Sequence, residues 1–326
     1  MRETGDIIFR IEGFDLERTL ESGQCFRWHR LGARDYWGIV RGCALRVKQT
    51  SEGLQARIVG GTPPSEPRRM VAHYFDLEGD YAAMLARLRR DPILAPLLPD
   101  HPTIRILRQE PLEVIISFIV SANNHIPRIR SIIERLCQRY GSPLETPFGR
   151  AYTFPRPAAL ARARLSDLRH GCGLGYRDVY VRSVAHTLAT RSDVTSWEEL
   201  PTDILRARLR QLPGVGDKVA ECILLFGYHR LEAFPVDTWI ERAMTELYFL
   251  GERPRPSEIQ ALARRRFGDI AGVAQQYLYA FFRERRGRVR RFSSEDAVAV
   301  GASTAVRSSP EDKADGGEAG EDDLAP

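Results

Sequence analysis

The segment Leu212-Pro213-Gly214-Val215-Gly216-Asp217-Lys218 constrains this chain most. Apolar-periodic stretches flank it, 203–210 before and 217–228 after, and both read as helices. Two glycines two residues apart let the backbone turn tightly and bring its N–H groups against a ligand. The second helix then presents its N-terminus, where unpaired N–H groups and the helix dipole favour an anion. For a basic protein the natural anion is a nucleic-acid phosphate. On this stretch alone a plain helix-to-helix turn stays open.

The last residue of the segment stands out chemically. Only Lys48, Lys218 and Lys313 are lysines, against 45 arginines. Arginine stays protonated and cannot act as an amine nucleophile; lysine can. Chance retention stays open, since two other lysines also survive. Nineteen residues after Lys218 comes Asp237, within Phe234-Pro235-Val236-Asp237-Thr238-Trp239. Pro235 and the helical pattern that follows place Asp237 near a helix start, where capping is the plain role. An amine and a carboxylate together suit displacement at a sugar anomeric carbon. The carboxylate stabilises oxocarbenium-like charge and assists proton transfers. The lysine must be neutral to attack, so burial or cationic neighbours must lower its pKa.

Charge points to the same class of partner. Residues 293–326 hold nine acids against Arg307 and Lys313, a net −7, which leaves 46 basic and 34 acidic residues in 1–292, a net +12. A body this basic suggests a polyanion; an arginine-rich surface set by genome composition is the alternative. The five cysteines (Cys25, Cys43, Cys137, Cys172, Cys222) form no C-x-x-C pair. A disulfide framework or a cysteine-rich zinc site is therefore not expected. No apolar run approaches the ~18 residues that span a bilayer, and the charged opening MRETGDIIFR does not read as a signal peptide. The expected location is cytosolic, at the nucleoid in a bacterium, or nuclear in a eukaryote.

Along the chain, 36–40, the turn Arg41-Gly42 and 43–47 read as a hairpin, with 54–59 as a third strand. Helical periodicity follows over 80–88, 111–122, 127–139, 177–189, 237–249, 257–266 and 271–285, besides the pair flanking the hairpin. Stretch 111–122 is almost wholly apolar and is expected at the centre of the core. From about 293 the chain is rich in Ser, Ala, Gly, Asp and Glu, and it is read as a disordered acidic tail dispensable for folding and activity.

The hairpin, the lysine beside it and the P-V-D segment resemble the helix-hairpin-helix glycosylase superfamily, whose lysine-bearing members cleave the base and then the strand. Ser22-Gly23-Gln24-Cys25-Phe26-Arg27-Trp28 resembles the N-terminal signature of 8-oxoguanine DNA glycosylases. Ser121-Ala122-Asn123-Asn124-His125-Ile126-Pro127-Arg128-Ile129 resembles their asparagine-rich segment, Gly173-Leu174-Gly175-Tyr176-Arg177 their G-L-G-Y-R loop, and Ala271-Gly272-Val273-Ala274-Gln275 their last helix. The four stretches fall in the family's order and span roughly 10 to 285. Iron–sulfur relatives carry four clustered cysteines after the catalytic Asp; here no cysteine follows Cys222.

The resemblance implies an α+β fold: an antiparallel β-rich N-terminal domain (1–100), two mainly α-helical subdomains with the helix-hairpin-helix motif (101–292), and the tail (293–326). It implies Lys218 as nucleophile with Asp237 as partner, and a phosphate-binding hairpin at Gly214, Val215 and Gly216. Gly23 would offer its carbonyl to the flipped base, since oxidation at C8 turns guanine N7 into an N–H donor. Gln275 would read the base's Watson–Crick edge, and Tyr279 and Cys222 would lie against its two faces. Asn123 would fill the vacated space, Tyr176 would wedge into the duplex, and Arg128 and Arg177 would hold the orphaned base. The partner implied is double-stranded DNA containing oxidised guanine, bound by a monomer, with no membrane. No cofactor and no metal site are expected, with room left for a monovalent cation at the hairpin.

The chain departs from the family pattern at His125, Trp239, Tyr279 and Phe282, which bears on lesion range and opposite-base stringency. Two rivals remain at this level: a glycosylase for alkylated bases, which normally lacks the lysine, and a non-catalytic hairpin module that only binds DNA.

Overall fold

The computed structural model describes residues 5–190 and 196–285; the tail expected over 293–326 lies outside them. The N-terminal part is a five-stranded antiparallel sheet: β1 (Ile7–Phe9), β2 (Trp28–Gly32), β3 (Asp35–Val40), β4 (Cys43–Thr50) and β5 (Gly53–Gly60), in the order β1-β5-β4-β3-β2. Arg41 and Gly42 take left-handed φ values of 48° and 74°. Strand twist favours such a two-residue turn, and it sets Val40 opposite Cys43. Alternation does the rest: Leu45 and Val47 point into the core while Arg46 points out and pairs with Asp35 at 2.6 Å.

Helices α1 (Leu16–Glu21) and α2 (Pro67–Tyr74) cover the inner face of the sheet with Leu16, Leu20, Met70 and Val71. Asp15 caps α1 by accepting the Arg18 N–H. Helix α3 (Tyr81–Leu88), capped by Asp80, faces elsewhere: Leu85, Leu88 and the following Leu94 belong to the helical core. The helical core thus begins before residue 100, where the sequence divides the domains.

The helical part comprises α4 (Pro111–Ser121), α5 (Ile126–Tyr140), the hairpin β6 (Pro143–Thr146) and β7 (Gly149–Tyr152), α6 (Pro157–Ala161), α7 (Asp178–Thr190), α8 (Thr202–Arg210), α9 (Asp217–Gly227), α10 (Thr238–Tyr248), α11 (Pro256–Phe267) and α12 (Ala271–Arg285). Every residue of α4 from Val114 to Ser121 is buried, as its apolar sequence requires, and each large side chain there contributes roughly 1.5–3 kcal/mol. Phe118 of α4 stacks on Phe226 of α9 at 5.4 Å. Helices α10 to α12 pack on one another, and Tyr248 of α10 and Arg266 of α11 meet at the carboxylate of Asp91, just beyond α3, 3.1 and 2.8 Å away. One continuous apolar core links both groups. Among the described residues no helix is long and apolar enough to cross a membrane.

Asp76 ties the sheet domain to the helical body. It is 5% exposed, with Arg108 Nε at 2.8 Å, the Tyr81 hydroxyl at 2.9 Å and His229 Nε2, just beyond α9, at 3.2 Å. Burial alone would raise its pKa, but the His229 and Arg108 contacts outweigh burial and hold it well below the usual carboxylate range. A depressed folded-state pKa gives stability that is present above the unfolded value of about 3.9 and lost as pH falls below it. Asp76→Asn is expected to cost about 2 kcal/mol or more at pH 7, reduced from the ~3–5 of a fully buried pair because Arg108 is 39% exposed. Urea melts at pH 7 and pH 3.5 check it: the variant should lose less on acidification than the parent.

Candidate active site

The hairpin is built as its glycines suggest. Gly214 sits at φ +82°, and a Cβ there would meet the Tyr180 ring at 2.9 Å, so both conformation and contact exclude a side chain. Gly216 is the N-cap of α9; no side chain caps that helix start, and a Cβ at Gly216 would point into open space. Lys218 follows in the first turn of α9, half-buried, with Nζ 5.5 Å from the centre of the Phe118 ring.

Pro235 ends the connection from α9, and Asp237 opens α10. Its Oδ1 accepts the N–H groups of Trp239 at 3.0 Å and Ile240 at 2.9 Å, so the capping role is real. The same carboxylate also feels Lys218. Burial raises its pKa above the ordinary value, opposed by these N–H groups and the Lys218 charge. One carboxylate thus caps the helix and lies within electrostatic reach of the lysine. Cys222, one turn beyond Lys218, is buried; burial pushes its thiol up to about 11 against the opposing pull of Lys218. At neutral pH it is a thiol rather than the reactive thiolate.

The opposite wall comes from two distant segments. Gly23 follows α1 at φ +80°, and a Cβ there would lie 3.1 Å from the Tyr279 hydroxyl. Gln24 fixes the turn: its Nε2 donates to the carbonyls of Thr19 and Arg105 and to the Ser22 hydroxyl, and its Oε1 accepts the Leu107 N–H. Burial raises the Tyr279 phenol, and Asp237 and Cys222 are close enough to add to the rise. Gln275, one turn before Tyr279 on α12, is buried and donates to the Pro235 carbonyl at 3.3 Å. Gly23, Lys218, Cys222, Asp237, Gln275 and Tyr279 thus converge from α1, α9, α10 and α12.

The remaining expected residues form an adjoining rim. Asn123, at φ +49°, and Arg128 are exposed, and Tyr176 is 53% exposed. Tyr176 meets Tyr180 edge-on at 6.2 Å, so the G-L-G-Y-R turn and the hairpin rest on one tyrosine. His125 caps α5 by accepting the Arg128 N–H at 3.4 Å, a structural use for its departure from the family pattern. Arg177, expected with Arg128 to hold the orphaned base, is engaged by carbonyls of the chain itself. It is 5% exposed; Nε donates to the Ala122 carbonyl at 3.0 Å and a terminal nitrogen to Asn123 O at 3.2 Å. It holds the asparagine loop from below, which leaves Arg128 as the exposed arginine of the two.

Sequence reasoning missed Phe118, Tyr180, Arg283 and Glu221. Arg283 donates to the Glu21 carbonyl at 2.5 Å and stands beside Tyr279. Glu221 carried a signal: it is the one acidic residue in the apolar run Val219–Phe226. Volume is a poor guide to the site. A cleft of about 820 Å³ lies at the far end of α9, lined by Arg41, His73, Glu110 and Arg230, and holds none of these residues. A smaller one of about 370 Å³ adjoins the Gly23 turn at Ser22, Tyr279 and Arg283. Among the described residues no group of three or more His, Cys, Asp or Glu side chains is placed to hold a metal ion.

Residues 6–115 match the family model described as 8-oxoguanine DNA glycosylase, N-terminal domain, and residues 116–268 that described as HhH-GPD superfamily base excision DNA repair protein. The chain is 32% identical over 290 residues to a probable N-glycosylase/DNA lyase of Methanothermobacter thermautotrophicus, covering 82% of this chain and 92% of that one. It is 29% identical over 280 residues to an N-glycosylase/DNA lyase of Arabidopsis thaliana, covering 81% and 76%. The structure superposes with a TM-score of 0.79 and 34% identity on a Clostridium acetobutylicum 8-oxoguanine glycosylase/lyase, solved with double-stranded DNA containing cytosine opposite 8-oxoguanine, over 85% of this chain and 94% of that one.

Proposed function

Since the chain belongs to the HhH-GPD superfamily of base excision DNA repair proteins, with the N-terminal domain of the 8-oxoguanine DNA glycosylases, we propose that it excises 8-oxoguanine from duplex DNA and then nicks the abasic strand. The convergence of Lys218 and Asp237 beside the Gly23–Tyr279 wall carries this reading.

The base leaves the stack and enters the site, as chemistry on a stacked base requires. The Lys218 amine, having lost its proton, attacks C1′; the glycosidic bond breaks and its electron pair leaves with the base nitrogen. Asp237 stabilises the positive charge that develops on the sugar. The sugar ring opens to a Schiff base on Nζ. Loss of the C2′ proton then expels the 3′ phosphate by β-elimination. The Gly23 carbonyl accepts from N7–H, a donor that guanine lacks, and Tyr279 stacks on the base. The hairpin and the uncapped start of α9 take the backbone phosphate. Borohydride reduction in the presence of lesion duplex tests the reading: a covalent protein–DNA adduct is expected with 8-oxoguanine and not with guanine.

The rim sets the opposite base. Arg128 is a pure donor, and the freed edge of cytosine offers two acceptors, N3 and O2. Excision should therefore be fastest opposite cytosine, and Arg128→Ala should narrow the preference by ~1–3 kcal/mol, the scale of one good base contact. Single-turnover rates opposite all four bases check this. Equal rates for the parent, or an unchanged preference in the variant, would defeat the assignment.

A further inference from the structure

Glu221 lies one helical turn beyond Lys218 on α9, is 5% exposed, and spends its carboxylate in two directions. Oε2 accepts the Phe234 N–H at 2.9 Å, three residues before Asp237. Oε1 accepts Arg206 Nε at 2.5 Å from α8, across the hairpin. One buried carboxylate thus joins the helix before the hairpin, the helix that carries the lysine and the segment that carries the aspartate. The far side of that segment is held too, by Gln275 at the Pro235 carbonyl.

We propose that Glu221 is a positioning residue that sets the distance between the Lys218 amine and the Asp237 carboxylate, with Arg206 orienting it. The inference rests on Lys218 and Asp237 being the reacting pair. A peptide N–H buried beside a carboxylate has no comparable partner once the carboxylate is gone. The segment 234–237 would then settle elsewhere, and a displacement near 1 Å costs about 10²-fold in a reaction that depends on alignment.

The test uses the full chain and three variants. Glu221→Leu should lower the single-turnover excision rate at saturating 8-oxoguanine duplex about 10²-fold, with DNA affinity unchanged. Glu221→Gln offers one acceptor to two donors, so its rate should fall less, by about tenfold. Adding Arg206→Met removes the competing donor and frees the amide oxygen for Phe234, and the double variant should recover most of the loss. A residue that served folding alone would show the reverse, the double variant being the worse. If Glu221→Leu does not give a cooperative melt, the other two variants decide. Full rates in folded Glu221→Leu or Glu221→Gln, or no recovery in the double variant, would overturn the proposal. Lys218→Gln, run alongside, separates the two levels: if that variant still forms the adduct, the reading of the reacting pair fails, whatever Glu221 does.

Discussion

Lys218→Gln is expected to abolish the borohydride adduct on 8-oxoguanine duplex and to lower base excision on the order of 10³-fold or more, the scale of losing a nucleophile, while the protein still binds DNA. Glutamine is close to lysine in length and helix propensity, so α9 should form as before. Binding survives because the phosphate contacts expected at Gly214–Gly216 use backbone groups, and the charge lost is one among many. Rescue by the neighbouring thiol is not expected, since burial holds Cys222 up at about 11. The measurement is adduct yield on a denaturing gel beside a binding isotherm. Undiminished adduct in the variant would sink the assignment.

Asp237→Asn should reduce base excision by at least ~10², the cost of removing one electrostatic stabiliser, with little change in melting temperature. Asparagine caps helices about as well as aspartate and can still accept from Trp239 and Ile240. The pH profile adds a second readout. Burial raises the Asp237 pKa, and the carboxylate is the working form. Activity should therefore fall on acidification at a pH above that of an ordinary aspartate, and the variant should lose that limb. If the melting temperature collapses together with activity, Asp237 is a cap and no more.

The sequence made different parts of this molecule legible for different reasons. Long stretches gave nine helices to within a residue or two, because most bury one broad face and the rest, such as α4 and α9, are apolar over more than two turns. The strands at 36–40, 43–47 and 54–59 were readable because a left-handed turn at Arg41-Gly42 and alternation agree. The short strands β1 and β2 at the sheet edges escaped: one has three residues, and four of the five in the other face solvent. Lys218 and Asp237 stand out in the sequence because motif and chemistry coincide at each. Arg177 could be named from its motif, but its surroundings could not. Whether a guanidinium faces solvent or a pair of carbonyls 55 residues away is a tertiary fact with no local trace. Glu221 belongs to the same class, since its partners lie 13 and 15 residues away on other elements.

Gln24 sets the unit in which this protein can be recombined with its relatives. Four of its hydrogen bonds hold the Gly23 turn to Thr19, Ser22, Arg105 and Leu107, and its own carbonyl takes a fifth from Gln109. The next aromatic, Phe26, crosses into the other core and meets Phe118 at 5.5 Å. A graft that moved the sheet and left 103–109 behind would deliver the glycine proposed to face the lesion on a turn that has lost three of these five bonds. The transplantable module is a discontinuous one, 19–28 together with 103–109. Swapping specificity between homologues means carrying both strips while leaving the lysine and aspartate where they are.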